Sequence, residues 1–168
     1  MPESWTWCRT SEAIDLFSGQ DLPPDRYSNI PQGIPYITGA SNLEEGRVIV
    51  NRWTTSATTH ATVGDLLLTV KGSGVGKMAI CNIDDAHIAR QIMALRCRNE
   101  VDQKYFCIVI SAFITDITDQ ANGIIPGIRR EVVLGMPFPL PPYAEQLRLA
   151  RLVNQIQNKL EDIEKRLN

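Results

Sequence analysis

The segment from Tyr143 to the C-terminus contains no proline and no glycine, and it carries a heptad repeat of apolar residues. The spacing alternates between four and three residues, which places all members on one side of an α-helix. The members are Leu149, Val153, Ile156, Leu160, Ile163 and Leu167. Pro141 and Pro142 precede the segment and mark where the helix can begin. Because so short a helix is marginal alone in water, we expect the apolar stripe to be covered.

The apolar stripe can be covered in two ways. The helix can pack on its own domain, or it can pair with a helix of a second molecule. A strict repeat at the end of the sequence favours the second arrangement, most simply as an antiparallel homodimer. We therefore expect one domain over residues 1–140 and a pairing helix over residues 141–168.

The middle of the chain is predicted to be mostly β-sheet. Its short apolar segments are bounded by glycine, proline and polar turn residues, and the run at residues 66–70 is apolar enough to be buried on both faces. The predicted strands are residues 34–38, 47–50, 66–70, 78–81 and 88–96. Over residues 102–117 large apolar side chains recur at every fourth residue, which indicates an amphipathic helix docked on the sheet. The predicted fold class is therefore α+β, with a mixed sheet and a long C-terminal helix.

Length and charge exclude several classes of protein. The 168 residues suit one domain, or one domain with an appendage. The formal net charge of −2 excludes a globally basic nucleic-acid binder but leaves room for a local basic face. The sequence has no apolar run long enough to span a membrane and no signal-peptide pattern at its start, so we expect a cytoplasmic protein.

Cysteine and histidine are too sparse for the usual metal and catalytic sites. The four cysteines are Cys8, Cys81, Cys97 and Cys107, and they form no CxxC pair. We expect buried free thiols and no structural zinc. His60 and His87 are the only histidines, which weighs against histidine-based acid–base catalysis.

The glycine-rich segment at residues 71–77, KGSGVGK, fits no nucleotide-binding motif. A P-loop needs a glycine where Lys71 stands and a hydroxyl where Met78 stands, and a helix should follow the loop. Between residues 71 and 98 there are five basic residues against two acidic ones, a local charge of +3. A basic loop of small residues suits contact with a DNA backbone. A solvated hairpin tip explains the same residues equally well.

Several separated segments, in the same order, resemble one family, the specificity subunits of type I restriction–modification systems. They include Trp5-x-Trp7 near the start, IPYITGASN at residues 34–42, GDLLL at residues 64–68 with the glycine loop after it, and RQIMAL at residues 90–95. The most specific segment is PLPPYAEQ at residues 139–146, which is similar to the family's motif at the start of its spacer helix. The resemblance covers nearly the whole chain and corresponds to half of such a subunit.

The resemblance implies a non-catalytic protein that reads DNA. In the family a target-recognition domain, here residues 1–140, binds half of a split DNA site, and a spacer helix, here residues 141–168, holds two such domains apart. Methyltransferase subunits that use S-adenosylmethionine and restriction subunits that use ATP and magnesium are the expected partners, and no cofactor is expected here. The alternatives are a metal-dependent nuclease, for which Asp84-Asp85 is the only adjacent acidic pair in the sheet region, and a coiled-coil adaptor without DNA affinity. A natural half-subunit and a fragment of a longer one fit equally well.

Candidate contact residues follow from side-chain chemistry. The candidate phosphate contacts are Lys71, Gly72, Ser73, Gly74 and Lys77 in the glycine loop, and Arg129 and Arg130 after a glycine turn. The candidate base contacts are Arg90 and Gln91 at the start of a predicted strand, and Ser41, Asn42 and Arg52 on or near turns. The candidate partner contacts are Glu145, Gln146 and the six residues of the heptad stripe.

Overall fold

A computed structural model describes residues 4–120 and 127–167, with the side chains of residues 117–120, 161 and 167 left out. In chain order the elements are β1 (Thr6–Arg9), α1 (Thr10–Ala13), β2 (Ile14–Ser18), β3 (Ile34–Ile37), β4 (Leu43–Glu44), β5 (Arg47–Val48), β6 (Trp53–Thr54), β7 (His60–Ala61), β8 (Leu66–Thr69), β9 (Met78–Ile80), β10 (Ala86–Ile88), β11 (Ile92–Cys97), α2 (Gln103–Gln120), α3 (Arg130–Gly135), β12 (Pro137–Leu140) and α4 (Tyr143–Leu167). The predicted α+β class with a long C-terminal helix is confirmed.

Two four-stranded sheets form the centre of the fold. The first sheet is antiparallel, in the order β2-β11-β8-β9. The second has the order β6-β3-β10-β7, and its pair β3–β10 is parallel. Two smaller pairs, β1–β12 and β4–β5, complete the strands of the described residues.

The first sheet is buried on both faces, which explains the continuous apolar run of β8. Leu66 and Leu68 point into a core shared with α2 and β12, where Phe106 and Phe138 are fully buried. Leu67, between them, points to the opposite face and into a second core shared with the other sheet. Successive side chains of a strand point to opposite faces of the sheet, and each face of β8 packs on one of the two cores. No position of β8 therefore faces water.

The structure differs from the predictions in two places. The strand predicted at residues 88–96 is instead two strands, β10 and β11, separated by a turn at residues 89–91. Arg90 and Gln91 therefore lie on a turn and not at the start of a strand. Helix α3 was not predicted, because its six residues are too few for a periodic signal. The break predicted at residues 123–127 falls mostly outside the described residues.

Helix α4 divides into a packed first part and an exposed second part. Ala150 is buried against α2, and Leu149 and Val153 are half-buried on the same side. Beyond them Ile156, Leu160 and Ile163 are 49%, 55% and 53% exposed. The first turns of the stripe thus pack on their own domain, and the remaining stripe lies open. The side chain of Leu167 is outside the described part.

Candidate nucleic-acid interface

The glycine loop, residues 71–77, is the tip of a hairpin between β8 and β9. The Gly76 N–H donates to the Thr69 carbonyl at 2.9 Å, and the Thr69 N–H donates to the Lys77 carbonyl at 2.8 Å. Gly72 and Gly76 have φ values of +89° and +92°, which other residues adopt only with strain. The glycines therefore close a tight tip whose backbone is exposed to solvent at Gly72 and Ser73.

Three segments meet beside this tip. Gly74 packs against Ala40 so closely that a Cβ at position 74 would overlap the Ala40 side chain. The Gln91 side chain covers Gly39, and the Gln91 carbonyl accepts the Val70 N–H at 2.8 Å. The loop, the turn at residues 39–42 and the turn at residues 89–91 thus form one edge, which we call the tip edge.

The tip edge presents several polar side chains to solvent. Its exposed members are Ser41, Lys71, Ser73, Lys77, Arg90 and Gln91. Arg90 is paired with Asp21 at 2.7 Å, which neutralises part of its charge. Lys77 shares a cleft with Glu44 and Glu45 of the neighbouring β4–β5 hairpin. Among the described residues Lys71 and Lys77 form no ion pair, so these two lysines are the unpaired basic side chains of the edge.

Asn42 does not face solvent, contrary to the prediction that it contacts DNA. It is fully buried, and its Oδ1 accepts the N–H and the hydroxyl of Thr38 at 3.0 and 2.9 Å. Its Nδ2 donates to the Ile49 carbonyl at 2.7 Å and to Asn51. A short amide side chain in a turn commonly bonds nearby backbone, and here it holds the chain that carries Ser41.

The two arginines after Gly127 have different surroundings. Gly127 lies next to Lys71, and the Ile128 N–H donates to the Val70 carbonyl at 2.9 Å, so this segment flanks the glycine loop. Arg129 is exposed just before α3. Arg130 donates through Nη1 to the Leu16 carbonyl at 2.8 Å, which gives it a structural contact within the domain.

A buried ion pair fixes the start of β8, and the sequence analysis gave it no role. Asp65 is 1% exposed and accepts two hydrogen bonds from Arg96, both at 2.8 Å, and one from the Thr62 N–H. The Asp65 hydrogen bond raises the pKa of Arg96, whose guanidinium also lies over the Phe17 ring. The sequence signal for this ion pair is Asp65 itself, because an aspartate directly before a buried strand needs a partner for its charge.

The histidines and cysteines are placed apart from the tip edge. His87 is fully buried, and burial lowers its pKa. Cys81 is buried, while burial raises the pKa values of Cys97 and Cys107 to about 12, so that both stay protonated at neutral pH. Within residues 4–120 and 127–167, no three His, Cys, Asp or Glu side chains converge as metal ligands. In the same ranges no helix is long and apolar enough to cross a membrane.

The predicted partner contacts at the start of α4 are partly wrong. Gln146 is 1% exposed, and its side-chain amide bonds three backbone groups of its own domain. Glu145 is half-buried and pairs with Arg148 at 2.7 Å, a hydrogen bond that lowers the pKa of the carboxylate. The family-like AEQ segment therefore anchors the helix, and the open contact surface begins further along it.

The comparisons with known proteins agree on one class, the specificity subunits of type I restriction–modification systems. The chain is 23% identical, over its full length, to the type I restriction enzyme EcoDI specificity subunit of Escherichia coli. The structure matches the HsdS subunit of Thermoanaerobacter tengcongensis with a TM-score of 0.88 at 24% identity, and an S subunit of M. genitalium with a TM-score of 0.70 at 15% identity. No model of a known protein family matches the sequence.

The resemblance found in the sequence is thereby confirmed, in sequence over the whole chain and in fold. The chain covers 38% of the Escherichia coli relative and 40% and 42% of the two solved structures, while these comparisons take in 98% or more of the chain itself. The chain therefore corresponds to somewhat less than half of each relative. None of these comparisons assigns a role to a particular residue of the tip edge.

Proposed function

We propose that this chain is a non-catalytic DNA-binding specificity subunit, or half-subunit, of a type I restriction–modification complex. The observation that carries the proposal is its full-length similarity to a type I restriction enzyme specificity subunit, in a chain whose fold is that of an HsdS subunit. The proposed role is to direct methyltransferase and restriction subunits to a bipartite double-stranded DNA site in the cytoplasm. S-adenosylmethionine, ATP and magnesium belong to those partners in this proposal.

The tip edge is the surface that we assign to the DNA backbone. Its exposed glycine loop offers the Ser73 hydroxyl and the Lys71 and Lys77 ammonium groups, while the N–H groups of residues 75–77 donate within the hairpin. Because Gly72 and Ser73 project without bulky side chains, a phosphate can approach the main chain closely. Such contacts position a protein on duplex DNA without reading its sequence.

The open part of α4 is the surface that we assign to pairing with a second copy of the chain. The helix has 25 residues and is roughly 37 Å long, so two antiparallel copies hold their domains well apart. Ile156, Leu160 and Ile163 are each about half exposed in the single chain and become covered in the dimer. Two like domains related by a twofold axis then face two like half-sites.

The proposed DNA contact is tested by the salt dependence of binding. Binding of the whole chain to duplex DNA is measured by fluorescence anisotropy at several salt concentrations, for the wild type and for the double variant Lys71→Ala with Lys77→Ala. Each phosphate contact contributes about 0.9 to the slope of log K against log salt, so we expect the double variant to lose about one to two units. The matched control is Lys104→Ala with Lys159→Ala, which removes the same charge from exposed helix positions.

Three results are distinguished. A flatter slope in the loop variant alone, with all sequences weakened about equally, supports the tip edge as the backbone contact. Equal slopes in the loop variant and the control variant exclude the loop from the interface. Wild-type protein that binds no duplex at low salt overturns the DNA-binding function itself.

A further inference from the structure

Four side chains form a column that runs from the core to the surface. His87 and Tyr36, both buried, have ring centroids 5.0 Å apart. Tyr36 and Tyr27 are 5.2 Å apart, and the exposed Arg52 lies with its guanidinium carbon 5.3 Å from the centre of the Tyr27 ring. The guanidinium at the outer end therefore rests on rings whose position the core determines.

The backbone around Arg52 is also held in place. The Arg52 carbonyl accepts the Tyr36 N–H at 2.8 Å. The next residue, Trp53, exchanges two hydrogen bonds with Ser28, at 2.9 and 3.0 Å, and Ser28 follows Tyr27 directly. Both members of the cation–π pair are thus attached to the same short ladder. Their relative position is set by main-chain bonds as well as by the stacking.

Stacking leaves the hydrogen-bond donors of Arg52 available. Arg26, Arg90, Arg96, Arg98 and Arg148 each form an ion pair with a carboxylate. Within the described residues, the Arg52 guanidinium has no carboxylate or carbonyl partner, and it lies over the Tyr27 ring. A guanidinium has five N–H groups in a rigid planar fork. Arg52 is therefore an oriented fork with unused donors.

A polar groove lies beside Tyr27, the ring on which Arg52 stacks, and beside Trp53, its neighbour in the chain. This open groove is also lined by Arg26, Ser28 and Ser56, with Asp25 paired to Arg26 at 3.7 Å. Arg52 bonds to Tyr36, three residues along the extended chain from Gly39 at the tip edge. Three residues of extended chain span about 10 Å, so Arg52 is hydrogen-bonded to the strand that leads into the tip edge.

We propose that Arg52 is a specificity-determining residue that reads a guanine in the major groove. The inference rests on the proposed function. Guanine offers two acceptors, O6 and N7, at the spacing of a guanidinium fork, and such a bidentate contact depends on the orientation of the donor. A phosphate also accepts a bidentate guanidinium, but it is bound by mobile side chains as well, whereas discrimination between bases requires a fork held in one plane. Arg90, by contrast, already uses its fork on Asp21.

The test is selection from a duplex library with a randomised centre, followed by sequencing of the bound fraction. Wild type, Arg52→Lys and Arg151→Lys are compared, because each change keeps the charge and removes the fork, and Arg151 is exposed on α4 away from the tip edge. We expect the wild type to enrich a guanine at one or more positions, and Arg52→Lys to reduce that preference by about 5- to 150-fold while binding to unselected duplex persists. Arg151→Lys should select the wild-type sequence.

The role of the stacking is tested separately with Tyr27. Tyr27→Phe keeps the ring face and should keep the guanine preference, while Tyr27→Leu removes the face and should weaken it. Circular dichroism and thermal melting confirm that both variants are folded.

The outcomes separate the two proposals. An unchanged selected sequence in Arg52→Lys, or a uniform loss of affinity for all sequences, overturns the base-reading role and leaves DNA binding intact. Equal effects of Tyr27→Phe and Tyr27→Leu overturn the positioning by the ring. A wild type that retains no duplex overturns the proposed function and this inference together.

Discussion

The Gln146 Oε1 accepts the backbone N–H of Asp102 at 2.7 Å, and this bond joins the first turns of α4 to the start of α2. The Nε2 of the same side chain donates to the Glu100 and Pro141 carbonyls, each at 3.0 Å. Because Gln146 is buried, these bonds replace contacts that water would otherwise supply. The direction in which the helix leaves the domain is thus set by one amide.

Replacing this amide by an apolar side chain of similar size should destabilise the protein. Gln146→Met leaves one N–H and two carbonyls without a partner, and each such buried group costs about 1–3 kcal/mol. We expect a loss of about 3 kcal/mol in the free energy of unfolding, measured by urea denaturation. The control Gln155→Met changes an exposed position of the same helix and should stay within about 0.5 kcal/mol. Equal losses in the two variants would show that the Gln146 bonds contribute nothing specific.

The buried imidazole of His87 should make stability depend on pH. Its Nε2 lies 3.0 Å from the Gln20 carbonyl, and its Nδ1 lies 3.0 Å from the Thr59 carbonyl and 3.4 and 3.3 Å from the backbone nitrogens of Thr58 and Thr59. Burial lowers its pKa, and His60 acts in the same direction, while Asp21 and the carbonyls of Thr59 and Gln20 oppose it. The folded state therefore takes up a proton less readily than the unfolded state.

The sign of the pH effect follows from this difference. The stabilising contribution is present above the unfolded pKa of about 6.5 and is lost as pH falls through the folded value, with a slope of at most about 1.4 kcal/mol per pH unit. We expect the wild type to lose about 1 kcal/mol more than His87→Gln between pH 7.5 and pH 5.5, by urea denaturation at each pH. Parallel losses in both proteins would assign the acid sensitivity to other groups.

A double-mutant cycle should show that Gly74 and Ala40 are energetically coupled. A Cβ at position 74 has no space beside the Ala40 side chain, so Gly74→Ala must displace the glycine loop from the turn at residues 39–42. Overpacking of this kind typically costs about 1–3 kcal/mol. Adding Ala40→Gly removes the obstructing methyl group, and the double variant should recover most of the lost stability.

Gly135→Ala is the control for this cycle. A Cβ at position 135 meets nothing within 4 Å, so we expect a change within about 0.5 kcal/mol. If Gly74→Ala melts like the wild type, the two segments do not pack as described. DNA binding of the same variants reports whether the arrangement of the tip edge matters for the proposed contact.

The elements that the sequence predicted best are those with strong periodicity and local turn signals. The heptad repeat of α4 is typical of a helix, and the apolar run of β8 is typical of a buried strand. The glycine loop is short enough for the two strands that it connects to pair. The interruption at residues 89–91 was missed because residues 88–96 alternate loosely between apolar and polar side chains, which is typical of one continuous strand. Its turn depends on the Val70 N–H bond to the Gln91 carbonyl, which joins residues far apart in the chain.

The candidate site was harder to predict than the fold, because exposure is a tertiary property. Asn42 and Ser41 are neighbours in sequence and have similar chemistry, yet one is buried and the other exposed. Gln146 is likewise buried, while its neighbour Glu145 is half-buried. The column that ends in Arg52 joins four separate positions of the chain, and no local pattern relates Tyr27 to His87. Side-chain chemistry therefore suggested candidate contact residues, and only the packing showed which of them are exposed to a ligand.

The open part of α4 gives the last prediction. Ile156, Leu160 and Ile163 present apolar area on one side of a helix whose first turns are already fixed to the domain. Burying that area in an antiparallel homodimer is favourable, at about 25 cal/mol per Å². Ile156→Asp with Leu160→Asp places two unpaired carboxylates in each half of the interface. Burying unpaired charges in this way costs on the order of several kcal/mol per dimer. The domain should stay folded, because both side chains lie beyond the turns that pack on α2.

Light scattering after size-exclusion chromatography gives the mass in solution. We expect a dimer for the wild type and a monomer for the double variant, with unchanged circular dichroism. Gln155→Asp with Asn158→Asp adds the same charge to exposed positions off the stripe and should remain dimeric, which separates loss of apolar contact from simple repulsion. A wild type that stays monomeric at high concentration would contradict the homodimer. A helix of another subunit would then be the expected partner of the stripe. Isoleucine and leucine side chains that lie half-exposed along one helix face are costly to leave in water.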